Sequence, residues 1–203
     1  MPWRYDAGMS HAVETRKDSA PAPVRFTRSE YGRMADAGVF EGRRVELLDG
    51  EVMVMTPQGS AHASAVARIM RVLAKALGDR ASLRPQLPLG LDDHSEPEPD
   101  VAVCRPDARD YADRHPEAAD VWLIVEVSDA SLAYDRGPKT TAYASGGIPT
   151  LWIVDIQERC LEVHQDPEPA LGRYRTRARL EAQDQVAIPG GAAVSVSSLL
   201  PPL

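Results

Sequence analysis

The sequence predicts a mixed α/β protein in which a β-sheet is flanked by helices. Short runs of β-forming residues alternate along the chain with helical patterns, which favours this class. Two of the runs, VWLIVEV at 121–127 and LWIVDI at 151–156, are almost continuously apolar, which is typical of central strands covered on both faces. The chain of 203 residues is long enough to bury a core without disulfides, and we expect one domain over residues 25–203.

Composition and charge limit the classes of function. The formal net charge of −7 argues against a protein that coats nucleic acid through bulk positive charge, so any DNA contact would need a local basic patch. Cys104 and Cys160 form neither a zinc motif nor a disulfide framework, and we expect two reduced thiols. No apolar run is long enough to span a membrane, and residues 1–24 look like a flexible segment without a secretory signal. We therefore expect a cytoplasmic protein.

Three local signals predict the elements of the first half of the chain. Thr27, followed three residues later by Glu30, is a capping-box pattern and predicts a short helix. Asp49-Gly50 between two β-like runs predicts a hairpin. Over residues 60–77, apolar side chains recur at helical spacing, which predicts an amphipathic helix.

Weaker patterns predict the elements that follow. Prolines within residues 82–91 indicate an edge strand or an irregular path. The other predicted elements are a strand at 100–104, a central strand at 121–127, a helix from about Asp135 to Gly146-Gly147, a strand at 151–156 that turns back into 161–165, and tail strands around 172–178 and 184–196.

Two acids lie on apolar strands, where a buried and unpaired carboxylate would be costly. Asp100 begins the first strand and Glu126 lies near the end of the second. If these strands pair in antiparallel fashion, both acids reach the same edge of the sheet. Carboxylates that close repel unless a proton or cation lies between them. Mg²⁺ uses one or two carboxylates plus waters and substrate phosphates, and the Val127 carbonyl would be a further ligand.

A third acid and a lysine extend this candidate site. Glu46 is flanked by apolar residues on a predicted strand, where it could join the site or pair with Arg43 or Arg44. Lys139 lies on the helix that follows the Glu126 strand. That helix could aim the ammonium group at the carboxylates to hold a water or stabilise charge on a phosphate, or it could leave the side chain in solvent.

The ordered set of these motifs resembles the Uma-type restriction endonuclease family of the PD-(D/E)XK nuclease superfamily. The resemblance covers about residues 26–165. Its most specific residues are Pro99-Asp100, Glu126, Lys139, Tyr143, Gly147-Ile148-Pro149, Trp152 and Asp155. It implies a restriction-endonuclease-like fold, with a central mixed β-sheet flanked by α-helices, and metal-dependent hydrolysis of phosphodiester bonds.

The resemblance also implies a role for each residue of the site. Asp100 and Glu126 would be the metal ligands, Glu46 the early acid and Lys139 the catalytic lysine. The usual lysine of the superfamily would stand at position 128, where this chain has Ser128. Lys139 would then have to reach the site from the following helix.

Other residues near these motifs have more than one interpretation. His62, at the start of the long helix, could contact a phosphate or a site carboxylate, or it could cap the helix or lie on the surface. Tyr143, one turn beyond Lys139, could orient that lysine or pack on the sheet. Asp135 and Arg136 could form a surface pair or begin the helix.

The leading hypothesis is a Mg²⁺- or Mn²⁺-dependent DNA endonuclease that acts as a homodimer, with Glu46, Asp100, Glu126 and Lys139 as catalytic residues. Dimerisation is implied by the resemblance and by the need to cut two strands. The alternative is a catalytically inactive nuclease-fold module that binds a partner or nucleic acid, which the acidic balance and Ser128 favour. A phosphodiesterase for small nucleotides would share the metal site. The sequence lacks a Gly-rich phosphate loop and a Ser-His-Asp order, which argues against nucleotide-dependent enzymes and serine hydrolases.

Overall fold

The computed structural model describes residues 21–202, and its elements alternate along the chain as predicted. The helices are α1 Arg28–Asp36, α2 Ser60–Leu77, α3 Leu132–Tyr134 and α4 Thr140–Ser145, with the π-helical turn Asp135–Lys139 between the last two. The strands are β1 Val45–Leu48, β2 Glu51–Val54, β3 Ser82–Pro85, β4 Val101–Cys104, β5 Val121–Ser128, β6 Thr150–Asp155, β7 Cys160–Glu168, β8 Arg173–Glu181, β9 Gln185–Ala187 and β10 Ala193–Ser195.

Within the described residues, six strands form one mixed sheet in the order β3-β4-β5-β6-β7-β8. Neighbouring strands are antiparallel except for β5 and β6, which are parallel. β1 and β2 form a separate hairpin, as do β9 and β10. The predicted mixed α/β class is therefore confirmed, with β5 and β6 at the centre of the sheet.

Helices cover the two faces of the sheet. Ile69 and Leu73 of α2 pack on one face in a core that includes Val125. Tyr143 of α4 packs on the opposite face in a second core that includes Ile124. Because successive side chains of a strand point to opposite faces, β5 contributes to both cores, and its apolar run is continuous for that reason.

The three local predictions of the first half are confirmed. Thr27 and Glu30 form a capping box at α1, in which the Thr27 backbone N–H donates to the Glu30 carboxylate at 2.8 Å. The β1–β2 turn has positive φ at Asp49 and Gly50, as a two-residue hairpin turn requires. A Cβ at Gly50 would also lie 2.7 Å from the Cβ of Arg25. α2 spans the predicted residues 60–77.

Two predicted boundaries were wrong. The strand expected over residues 82–91 ends at Pro85, because Gln86 adopts a φ of 51° and turns the chain out of the sheet. The helix expected from Asp135 begins at Leu132 instead. Asp135 therefore lies inside the helical segment and does not begin it.

A π-helical turn interrupts the helix that carries Lys139. Pro138 has no backbone N–H, so it cannot donate the usual helical hydrogen bond. The N–H of Thr140 reaches back to the carbonyl of Asp135, which widens this turn, and the Thr140 hydroxyl donates to the same oxygen at 2.6 Å. Such turns occur frequently at functional sites.

The remaining predictions concern the chain start, membranes and cysteines. The predicted flexible segment, residues 1–24, lies outside the described residues except for positions 21–24, which have no regular secondary structure. Across residues 21–202, no helix combines the length and apolar character needed to cross a bilayer. Cys104 and Cys160 are buried free thiols, as expected.

Candidate active site

A cavity of about 370 Å³ opens at the edge of the sheet where β5 ends. The β1–β2 hairpin, the first turn of α2 and the π-helical turn surround it. All four residues predicted to be catalytic line this cavity: Glu46, Asp100, Glu126 and Lys139.

The antiparallel pairing of β4 and β5 brings the first two acids together. Val101 lies opposite Val125, so Asp100 and Glu126 meet at the same edge, as predicted. The backbone N–H of Asp100 donates to Glu126 Oε2 at 3.3 Å. The two residues are only 8% and 2% exposed, so both acids lie at the floor of the cavity.

The Asp100 carboxylate is held by three donors. Its Oδ2 accepts from the Val127 N–H at 2.8 Å and bonds to His62 Nε2 at 3.0 Å, while Oδ1 accepts from Gln86 Nε2 at 3.2 Å. Burial alone would raise the pKa of Asp100, but the hydrogen bond and charge of His62, the Val127 N–H and the charge of Lys139 together lower that pKa. The same contact raises the pKa of His62 against its own burial. His62 is buried, so the surface alternative for it was wrong.

Lys139 lies between two carboxylates. Its Nζ is 3.0 Å from Glu126 Oε1 and 3.4 Å from Glu46 Oε2, and the residue is 4% exposed. Burial would lower the pKa of Lys139, but Glu126 and Glu46 outweigh it and raise that pKa, so the ammonium stays charged. Lys139 reaches the carboxylates from the helix although position 128 is a serine. The solvent alternative for Lys139 was wrong.

Glu126 differs from Asp100 because it is more deeply buried and because the carboxylates of Asp100 and Asp135 disfavour its charge. Burial raises the pKa of Glu126 to about 8, even though Lys139 opposes this rise. The Tyr143 hydroxyl donates to Glu126 Oε1 at 2.5 Å. Tyr143 is also fully buried in the core beneath α4, so it packs on the sheet and orients the carboxylate rather than the lysine.

Glu46 points into the site and not toward the arginines that precede it. Its Oε2 accepts from the Glu98 N–H at 3.0 Å, and its Oε1 accepts from the Tyr134 hydroxyl at 3.2 Å. Arg44 pairs with the Glu98 carboxylate at 2.8 Å instead. The alternative that Glu46 pairs with Arg43 or Arg44 was therefore wrong.

Comparison with known proteins assigns the chain to a family. Residues 28–197 match the model of the Uma2 family, described as "Putative restriction endonuclease". The chain belongs to the Uma2 family. A crystal structure described as "a putative nuclease belonging to DUF820 from Anabaena variabilis ATCC 29413" is similar, with a TM-score of 0.63 at 15% identity over 87% of this chain and 97% of that chain. A search of curated protein sequences found no match.

These matches confirm the predicted family and the restriction-endonuclease-like fold. At 15% identity the solved structure shows the fold alone, and the chemistry of the Uma2-family site depends on the residues of this chain. The Uma2 match extends beyond the resemblance seen in the sequence and includes β8 to β10.

The acid surplus of this Uma2-family cavity favours a bound cation. Lys139 is the only lysine or arginine among the described residues that line the cavity, whereas six carboxylates line it: Glu46, Glu98, Asp100, Glu126, Asp129 and Asp135. Within residues 21–202, however, no three His, Cys, Asp or Glu side chains converge as a complete ligand set. The acid lining is compatible with a hard divalent ion that uses one or two carboxylate ligands and waters, such as Mg²⁺.

The backbone of Val127 lies beside the Asp100 carboxylate. Continuing the β4–β5 register by two residues places Val127 opposite Pro99, which has no N–H to donate. In an extended strand the N–H and C=O of one residue point to the same side, and the Val127 N–H points to Asp100. The Val127 carbonyl oxygen therefore points to the β4 side, where Pro99 cannot donate the hydrogen bond that a neighbouring strand residue usually provides.

The sequence interpretation missed several supporting residues. Asp135 is not part of a surface pair: it is 4% exposed and accepts from the Ser128 and Ser131 hydroxyls at 2.7 and 2.6 Å. The i, i+4 spacing of Ser131 and Asp135 could have indicated one of these bonds. No spacing connects Gln86 to Asp100 or Tyr134 to Glu46, since only the fold brings those pairs together.

Proposed function

We propose that this protein is a Mg²⁺- or Mn²⁺-dependent DNA endonuclease. The observation that carries the proposal is the convergence of Asp100, Glu126 and Lys139 in one acid-lined cavity. The family description and the description of the similar structure as a nuclease support the same class of reaction.

Asp100, Glu126 and the Val127 carbonyl would hold the ion. When bound, a divalent ion lowers the pKa of water and neutralises charge that develops on a phosphate. His62 and the Val127 N–H both bond to Asp100 Oδ2, which leaves Oδ1 with the Gln86 amide alone. The backbone N–H of Asp100 and the Tyr143 hydroxyl orient Glu126 in the same way.

Lys139 would act on the phosphate or on the attacking water. In the reaction, a P–O bond to the water oxygen forms and the P–O bond to the leaving sugar oxygen breaks, and that oxygen takes up a proton. The Lys139 ammonium can donate hydrogen bonds to the phosphate oxygens as their negative charge increases. Glu46 holds Lys139 in this position and keeps it charged.

Homodimerisation and a cytoplasmic location belong to the same proposal. Two protomers would supply two cavities, each of which acts on one DNA strand at a time. Sedimentation at micromolar concentration, with and without DNA, tests this part. A protein that stays monomeric under both conditions would contradict the dimer and leave the chemistry of each cavity unaffected.

The proposed activity is tested by cleavage of circular DNA, both supercoiled and single-stranded, with Mg²⁺, Mn²⁺ or a chelator. We expect cleavage with either ion and none with the chelator. Asp100→Asn and Lys139→Met should remove it, whereas Asp113→Asn and Lys75→Met change exposed residues of the same types and should not. Equal cleavage by all four variants would overturn the proposal.

The non-catalytic binding module is distinguished by metal affinity. Calorimetry with millimolar Mg²⁺ or Mn²⁺, with and without DNA, should detect binding to the wild type and weaker binding to Asp100→Asn. Absence of binding under every condition would favour the module, for which Ser128 in place of the usual lysine is the supporting observation.

A further inference from the structure

We propose that the cavity accepts an unpaired nucleotide, so that the preferred substrate is single-stranded DNA and not an intact duplex. This inference rests on the proposed function and specifies its substrate. It is carried by three properties of the cavity: its charges, its apolar wall and the depth of its acids.

The charges of the cavity disfavour a duplex. Double-stranded DNA carries about one negative charge per 1.7 Å of its axis, and proteins bind it through several lysine or arginine contacts to phosphates. Lys139 is the only such residue among the described cavity-lining residues, and Glu126 and Glu46 already hold it. Arg44, which does not line the cavity, is held by Glu98.

Asp129 adds a further negative charge to the lining, where it lies near the start of α2. A duplex seated over the cavity would bring the phosphates of both strands toward these acids. A single strand can place one phosphate at the ion and turn the neighbouring phosphates away, because its backbone is not constrained by pairing. The unfavourable contacts are therefore fewer for a single strand.

One wall of the cavity is apolar and adjoins the acids. It is formed by the end of β2 and the loop that follows, with Met53, Val54, Met55 and Pro57. Val54 is 63% exposed, so its side chain is open to contact by a substrate. A nucleobase is the uncharged, flat part of the substrate, and it can cover this wall once it has left its base stack.

The depth of the acids also requires the substrate to enter. Asp100 and Glu126 are 8% and 2% exposed, so a phosphate must come down into the cavity to reach them. A volume of about 370 Å³ is that of a small-ligand pocket and matches one nucleotide better than a stacked base pair. A strand that is already unpaired enters without the cost of unstacking.

Cleavage of three end-labelled oligonucleotides of one sequence tests the inference: a single strand, a perfect duplex and a duplex with a central unpaired bubble. With Mg²⁺, the single strand and the bubble should be cut at least about tenfold faster than the duplex, since unpairing costs a few kcal/mol. Equal rates, or faster cutting of the duplex, would overturn the inference and leave the proposed function intact. No cleavage of any substrate would overturn both.

Val54→Ser tests the apolar wall separately. We expect kcat/KM for the single strand to fall about threefold to tenfold, because an apolar contact with the base is lost, and the preference over duplex to shrink. Val39→Ser is the matched control, since Val39 is 48% exposed and does not line the cavity. Unchanged kinetics in a folded Val54→Ser protein would overturn the role of this wall.

Discussion

Two buried ionic clusters each take a cation from the π-helical turn, and their charge balance differs. The cleft cluster is Glu46, Asp100, Glu126 and Lys139. The strand cluster is Glu162, Arg136 and Arg177. The cleft cluster has three acids for Lys139 and the partly charged His62, and it opens into the cavity. The strand cluster has two arginines for Glu162 and for Asp155, whose carboxylate lies 3.7 Å from Arg136, and it does not line that cavity.

The two central glutamates show what this difference does. Glu126 and Glu162 are 2% and 1% exposed, so burial penalises the charge of both. Burial nevertheless prevails only at Glu126 and raises its pKa to about 8. At Glu162, hydrogen bonds and charge from Arg136 and Arg177 outweigh burial and lower the pKa. Although both residues are shielded from solvent, fewer protein atoms surround Glu162, and two arginines bond to it, so weaker desolvation and more neighbouring cations act together to lower its pKa.

The comparison separates a structural cluster from a functional one. Arg136 and Arg177 neutralise Glu162, and this ties the helix that carries Lys139 to β7. The acids of the cleft cluster stay under-neutralised, which destabilises the folded protein unless a cation binds. A site that lacks positive charge in this way is suited to take a metal ion.

The largest expected difference is in catalysis. Glu126→Gln should lower the rate of the proposed single-strand cleavage at least about a hundredfold, because an amide is a poor ligand for the proposed divalent ion. Glu162→Gln should keep most of the wild-type rate. Initial rates at equal folded protein concentration check this. Equal losses in the two variants would break the comparison.

The second difference is in stability. Glu162→Gln should lower the free energy of unfolding by about 2 kcal/mol, less than for a fully buried pair, because Arg136 and Arg177 are partly exposed and screened by solvent. Glu126→Gln in a chelator at pH 8 should not destabilise the protein. Urea unfolding of both variants measures this, and a larger loss in Glu126→Gln would contradict the assignment of the strand cluster as structural.

The third difference is in pH dependence. The pKa of Glu126 is about 8 in the folded protein and 4.5 as a reference for the unfolded chain. Its contribution to stability is therefore complete below pH 4.5 and is lost as the pH rises toward 8. In a chelator, the wild type should lose at least about 1 kcal/mol relative to Glu126→Gln between pH 5 and pH 8.

Mg²⁺ should reverse this loss, because a metal ligand must be deprotonated. The rise in melting temperature on adding Mg²⁺ should therefore be larger at pH 8 than at pH 6. If Glu126→Gln loses as much stability between pH 5 and pH 8 as the wild type does, another group causes the pH dependence.

The smallest difference concerns one histidine in contact with each cluster. Asp100 raises the pKa of His62 above its usual 6.5. Burial lowers the pKa of His164, and the hydrogen bond and charge of Glu162 offset only part of that decrease. NMR titration of the metal-free protein should find a higher midpoint for His62 than for His164. The reverse order would mean that the charges around the two clusters differ from those described here.

Local elements and the antiparallel β4–β5 pair could be predicted from the sequence. Two of these elements depend only on contacts within a few residues: the capping box of Thr27 and Glu30, and the Asp49-Gly50 turn. Such local contacts form whatever the rest of the chain does, so the sequence alone predicts them. The pairing that joins Asp100 to Glu126 was also predictable, because both acids interrupt apolar strands at complementary ends. Glu46 and Lys139 were candidates because of their predicted strand and helix, and the family resemblance implied their roles.

The supporting contacts could not be predicted in the same way. Gln86 reaches Asp100, Tyr134 reaches Glu46 and Arg136 reaches Glu162 only after the chain has folded, and no periodicity relates these positions. The π-helical turn that contains Pro138 and Lys139 was not predicted from the sequence either.

The sequence by itself determined which acids and which lysine this protein has, and on which strands and helix they lie. Only the tertiary structure decided which of the acids are neutralised. The physical reason is that the pKa of a buried carboxylate depends on the charges within a few ångströms of it, and those neighbours come from segments far apart along the chain.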